Sequence, residues 1–164
     1  MANLTLTLSR HIPAPQQVVW DVISDIPGCV DRIESIVGIE MLTGDTMEVG
    51  ARWKETRTLF RRETTEEMEV TAFDPPLRYV VEADSCGAHF TSEIRCDPDG
   101  DDATILMMTI ETIPTTFFAR LMKPVAKLTM GTMRKMMQKD LDDIFRACTP
   151  GLEDEASAEE ATGQ

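Results

Sequence analysis

The sequence predicts a single α+β domain in which a seven-stranded antiparallel sheet curves around one long C-terminal helix. Three observations carry that expectation. Between residues 35 and 112 every segment reads as strand or turn. Residues 115–147 contain one glycine and keep apolar side chains at helical spacing. The chain has 164 residues, 42% apolar and 27% charged, which is the size and balance of one globular domain.

Leu4, Leu6 and Leu8 alternate with Thr5, Thr7 and Ser9, the period-two pattern of a strand with one buried face. Pro13 and Pro15 stop this strand, and Pro15 suits the first position of a helix, where a missing N–H costs nothing. Val18, Val19, Val22, Ile23 and Ile26 then recur at helical spacing, with Asp21, Ser24 and Asp25 off the stripe. Pro27-Gly28 ends this helix and one more short turn follows, so two small helices should pack under the sheet. Strands are predicted at 35–42, 51–62, 63–73, 77–84, 89–96 and 103–112. The turns between them include Thr43-Gly44-Asp45, Asp74-Pro75-Pro76, Ser85-Cys86-Gly87 and the run from Asp97 to Asp101, so the strands should form a meander. A helix over 115–147 would span on the order of 45 Å, enough to cross a whole sheet, with a kink or break at Pro124. Beyond Thr149-Pro150-Gly151 come five acidic residues and no basic or aromatic ones. The prediction is therefore a domain over residues 1–148 and a disordered acidic tail over 149–164.

Charge and pattern exclude several function classes. The formal net charge is −13, and −8 without the tail's five acids, so a nucleic-acid partner is not expected. No apolar run approaches the length of a membrane span, which argues against integral membrane association. The N-terminus lacks a basic segment followed by a long apolar one, so a cytoplasmic location is expected. Cys29, Cys86, Cys96 and Cys148 form no CxxC pair and read as buried small hydrophobes. Cys86 and His89 have metal-ligand spacing but no second pair completes a site. No phosphate-loop spacing and no nucleophile–His arrangement is visible, so no metal or cofactor is expected. Monomer and dimer both remain open.

Three stretches carry a family resemblance: SRHIPAPQQVVWDVISDIPG at 9–28, GDTMEVGARWKETR at 44–57 and FDPPLRYVVE at 73–82. With them the sequence resembles the START-like, or SRPBCC, helix-grip superfamily, which includes polyketide cyclases and lipid carriers. The resemblance implies an internal cavity between sheet and long helix, and a small hydrophobic ligand such as a lipid, quinone or polyketide-like ring system. It implies no shared catalytic motif, because fold and function separate in such families.

Alternation decides what would line that cavity. Keeping Trp53 inside turns Glu55 and Arg57 inward, and keeping Met68 and Val70 inside turns Thr64 and Glu66 inward. The next strands offer Tyr79, Val81 and Ala83, then Phe90, Ser92 and Ile94. The seventh strand is apolar on both faces, so its parity is unreadable, and a bulge would invert any assignment beyond it. The long helix supplies Met122, Met130, Met133, Met136 and Met137, which serve either as ordinary core or as a deformable wall around an irregular ligand.

The predicted ligand-facing set is Trp53, Glu55, Arg57, Glu66, Met68, Tyr79, Val81, Phe90, Ser92, Met122, Met133 and Met137. Within it Glu55, Arg57 and Glu66 admit two readings. They are a structural ion-pair cluster, or Arg57 clamps a carbonyl, enolate or carboxylate while Glu55 or Glu66 acts as general acid or base. Trp20 and Trp53 read as core anchors, His89 faces solvent, and the basic residues of the last helix form a solvated face. A carrier predicts charges paired with one another, and a cyclase or dehydratase predicts an unpaired titratable group. A non-enzymatic interaction module predicts a collapsed cavity and an exposed apolar patch.

Overall fold

The computed structural model describes residues 4–59, 62–85, 87–116 and 123–152, with the side chains of 59 and 123–129 outside that description. Strand β1 (Leu4–Ile12) is followed by helices α1 (Gln16–Ser24) and α2 (Cys29–Arg32). Six strands follow: β2 (Ile36–Met41), β3 (Arg52–Leu59), β4 (Arg62–Asp74), β5 (Arg78–Ser85), β6 (Ala88–Pro98) and β7 (Thr104–Pro114). Helix α3 (Lys123–Cys148) closes the order. The sheet runs β1-β7-β6-β5-β4-β3-β2 with every pairing antiparallel, so β2 to β7 form the predicted meander and β1 closes back beside β7. Helix α3 lies against β1, α1 and α2. No helix among the described residues is long and apolar enough to cross a membrane.

Two helix details differ from expectation. Pro15 sits one position earlier, as the extended residue before α1, and its carbonyl accepts from Val18 N at 3.0 Å. The buried stripe of α1 is Val19, Trp20 and Ile23, whereas Val18 is exposed. Trp20 displaces Val18 because its indole fills the space against Phe73 and Tyr79, at centroid distances of 5.6 and 6.0 Å. The α1–α2 turn is pinned by Asp25, which accepts from Gly28 N and from Arg32 Nη2 at 2.7 Å. A Cβ on Gly28 would lie 2.2 Å from the Asp25 carboxylate, so a larger residue here would push that side chain out of its present position.

Bulges set the register where alternation alone could not. One lies in β2 between Ile36 and Gly38 and one in β4 between Val70 and Ala72. The β4 bulge passes the inward position from Val70 to Phe73, opposite Tyr79. In β7 the inward residues are Leu106, Met108 and Ile110, which face Cys96, Ile94 and Ser92 across the pairing with β6. Ile105, on the other parity, is exposed.

Helix α3 buries Met137, Leu141, Ile144 and Cys148 on one stripe, while Phe145 is half-buried beneath the Arg10 guanidinium at 4.4 Å. The kink expected at Pro124 would fall at the edge of the described residues. From Lys123 the helix runs unbroken. Thr149, assigned from sequence to the tail, is buried and ties back to the helix by donating Oγ1 to Phe145 O at 2.7 Å. Residues 153–164 of the predicted tail lie outside the described residues.

Candidate ligand site on the concave face

Strand β3 builds the polar part of the site. Its alternation turns Trp53, Glu55 and Arg57 to the inner face, where they lie opposite Met68, Glu66 and Thr64 of β4. Trp53 and Glu55 are buried. The Trp53 indole donates Nε1 to Glu55 Oε2 at 3.2 Å, and Arg57 Nε donates to Glu55 Oε1 at 2.5 Å. Glu55 and Arg57 therefore pair along the strand, as their spacing of two allows.

The rest of the cluster comes from elsewhere in the chain. Arg57 Nη1 donates to Asp140 Oδ2 at 2.6 Å and to Ser35 Oγ at 3.0 Å. Ser35 in turn donates to Asp140 Oδ1 at 2.9 Å. Each oxygen of Glu55 and of Asp140 thus receives one donor. Burial by itself would lower the pKa of Arg57, but the charges of Glu55 and Asp140 outweigh it and hold the guanidinium above its ordinary value. The Asp140 side chain is 3% exposed and that of Arg57 22%, so this is a largely buried ion pair. Neighbouring Asp143 is buried too, accepting from Glu34 N at 3.0 Å and from Arg146.

Asp140, Asp143 and Ser35 were not among the residues singled out from sequence. A signal for Asp140 exists: it lies three residues after Met137 and four before Ile144, squarely on the apolar stripe. An acid at such a position requires a buried partner.

The other predicted site residues divide into groups. Val81 and Tyr79 are buried on the inner face, and Met68, Phe90 and Ser92 are half-buried there. The Tyr79 hydroxyl donates to Ile23 O at 3.0 Å, and burial raises its pKa well above the ordinary phenol value. That hydroxyl is committed to the backbone. Met137 is buried and Met133 half-buried, while Met122 lies outside the described residues. Glu66 is half-buried opposite Glu55 and has no hydrogen bond or ion pair with another described residue.

At the end of the inner face, beyond Trp53, an open cleft of about 460 Å³ lies between the α1–α2 turn and the β2–β3 connection. Ile26, Pro27, Met41 and Met47 give it apolar walls, and Asp25 and Asp45 are its acids. Met41 lies opposite Trp53 in the β2–β3 pairing, so the cleft continues the sheet's inner surface. The volume falls within the ordinary range for small-molecule sites.

The remaining candidates stay outside the site. His89 is on the outer face, 2.9 Å from Asp84 and 3.3 Å from Glu82. The hydrogen bond to Asp84 raises its pKa, with Glu82 adding to the effect. Cys29 and Cys96 are buried thiols raised by burial to about 12, and Cys148 to about 11, so all three behave as small apolar groups. Cys86 lies outside the described residues. Among the described residues no group of His, Cys, Asp and Glu has the geometry of a metal site.

A curved antiparallel sheet gripping a C-terminal helix, with a buried ion cluster tying the inner face of β3 to that helix, has a family counterpart. The model of the polyketide cyclase / dehydrase and lipid transport family matches residues 3–150. The chain belongs to that family. Solved structures share the fold. The Zhui aromatase/cyclase from Streptomyces sp. R1128 is 14% identical, with TM-score 0.75, covering 90% of this chain and 94% of its own. A START superfamily protein from Mycobacterium smegmatis is 13% identical, with TM-score 0.68 and coverage of 88% and 99%. Norcoclaurine synthase from Thalictrum flavum, in complex with dopamine and hydroxybenzaldehyde, is 16% identical, with TM-score 0.64 and coverage of 88% and 86%. At these identities the likeness is one of fold. No curated protein matches the chain by sequence.

Proposed function

We propose that this family member binds a small hydrophobic molecule, such as a lipid, quinone or polyketide-like ring system, against the concave face of its sheet. The observation that carries the reading is the closure of the ion cluster. Arg57 donates to Glu55, Asp140 and Ser35, so its charge is already engaged by groups of the protein, and apolar Met68, Tyr79 and Val81 share the inner face. A catalyst that stabilises a developing oxyanion needs a cation whose charge is still available, and here two carboxylates already draw on it. Met68, Met133 and Met137, unbranched and deformable, suit a wall that adapts to an irregular ligand.

The test is saturable binding of an environment-sensitive apolar dye to the native protein, with Met133→Trp as the blocking variant. Filling an existing void should abolish dye binding while stability stays within about 1.5 kcal/mol of the parent. Undiminished stability with no dye binding in either protein, or strong destabilisation by the tryptophan, rejects the reading.

One observation favours a second reading, a cyclase or dehydratase acting on a carbonyl-rich substrate. Glu66 is an inward carboxylate without a partner among the described residues, the kind of group a general base requires. Deuterium exchange at the carbon α to a bound ketone, present in the parent and lost in Glu66→Gln, would support it.

A further inference from the structure

The open cleft between the α1–α2 turn and the β2–β3 connection offers a ligand an apolar seat and polar groups of one kind only. It shares no described lining residue with the ion cluster or with the wall of Met68, Met133 and Met137, so it stands apart from the binding reading above. Ile26 and Pro27 wall one side of its 460 Å³, and Met41 and Met47 add thioethers that adapt to a compact apolar body. Its polar side chains are Ser24, Asp25 and Asp45. Ser24 Oγ has spent its proton on Trp20 O at 2.7 Å, so it can only accept. The amides of the turn are used as well: Ile26 N donates to Ser24 O, Gly28 N donates to Asp25 Oδ1, and Pro27 has no N–H.

Both carboxylates are acceptors with capacity left. Asp25 takes one donor on each oxygen, from Gly28 N and Arg32 Nη2, where a carboxylate has about four acceptor sites. Asp45 is exposed and has no hydrogen bond or ion pair with another described residue. Arg32 offsets one of the two acids, so a net negative charge remains at the cleft. A ligand carboxylate or phosphate would find no side-chain donor among the described lining residues and would meet like charge. A ketone or ether would set one more acceptor against acceptors. An ammonium brings donors together with the missing positive charge. We infer that the cleft binds a small organic ammonium, a protonated amine on a compact apolar body, whose N–H groups meet Asp25, Asp45 and Ser24 Oγ while the body rests on Ile26, Pro27, Met41 and Met47. These acids are open to water, so charge supplies the selectivity between ligands and apolar contact supplies most of the affinity.

The experiment uses the full chain with isotope-labelled methionine methyl groups and three rigid probes of one shape: adamantylammonium, adamantanol and adamantane carboxylate, titrated near neutral pH at low salt. Methyl resonances assigned through Met41→Leu and Met47→Leu report where each probe binds. Adamantylammonium should shift Met41 and Met47 saturably and bind about fivefold tighter than adamantanol, with the carboxylate weaker than both. Asp45→Asn, at an exposed position, should weaken the ammonium about threefold and leave adamantanol within about twofold, and added salt should weaken the ammonium selectively. The inference is overturned if the alcohol or the carboxylate matches the ammonium, if Asp45→Asn leaves the preference intact, or if no probe shifts Met41 and Met47. Shifts confined to Met68, Met133 and Met137 would overturn it while supporting the concave-face reading, which the dye experiment tests separately.

Discussion

The two faces of the sheet use the same side chains to opposite effect. On the concave face, Glu55, Arg57 and Asp140 form pairs whose acids are 9% and 3% exposed. On the convex face, Arg52 pairs with Glu67 and lies near Glu69, and all of these are about half exposed. Lys54 and Glu40 are similarly open to water. Both sets include cross-strand or along-strand pairs of arginine with glutamate, so the chemistry is matched and only solvation differs. Outside, water competes for every partner and the pairing contributes little. Inside, the desolvation of each charge is already a fact of the fold, and each depends on its partner to offset it.

The largest expected effect follows directly. Arg57→Met strands Glu55 and Asp140 without their cation and should destabilise the protein by roughly 3–5 kcal/mol, whereas Arg52→Met should cost no more than about 1 kcal/mol. Urea denaturation midpoints of the two variants measure the contrast. Equal losses would mean that burial does not separate the faces.

A smaller effect isolates geometry from charge. Ser35→Ala removes the hydroxyl that accepts from Arg57 and donates to Asp140, leaving every ion in place. The loss should be about 1–2 kcal/mol, and Ser35→Thr should restore most of it. A loss as large as that of Arg57→Met would show that the hydroxyl, not the ion pair, organises the cluster.

The smallest effect belongs to the convex face and depends on pH. His89 has its pKa raised in the folded state by Asp84 and Glu82. A raised folded value means that its contribution is fully present below the unfolded pKa of about 6.5 and disappears as pH climbs through the folded pKa. The stability difference between the parent and His89→Gln should therefore be larger near about pH 5.5 than near about pH 8.5, and small at both. A difference that grows with pH would reverse the sign and discard the assigned pairing.

Much of the site was legible because side-chain direction in a strand is a local property. Trp53, Glu55 and Arg57 had to share a face once any one of them was inside, and β4 carried Glu66 and Met68 to the same side. Two regions resisted for reasons equally local. The seventh strand is apolar at successive positions, so no alternation marks its inner face until pairing with β6 selects Leu106, Met108 and Ile110. The β4 bulge leaves no unmistakable mark in the sequence, and it moves the aromatic contact from Ala72's position to Phe73.

What the sequence by itself determined was the order of elements and the inner face of β3, β5 and β6, with that of β4 up to its bulge. These follow from repeats of two and of 3.6 residues, which a chain expresses before it folds. What only the tertiary structure decided was the company those inward residues keep. Arg57 pairs with Asp140, 83 residues further along, because α3 crosses the sheet at the height where a carboxylate on its apolar stripe meets the end of β3. Periodicity assigns a side chain to a face, but its partner across that face depends on how two rigid elements dock. That docking is set by the packing of Met137, Leu141 and Ile144, not by any pattern within β3.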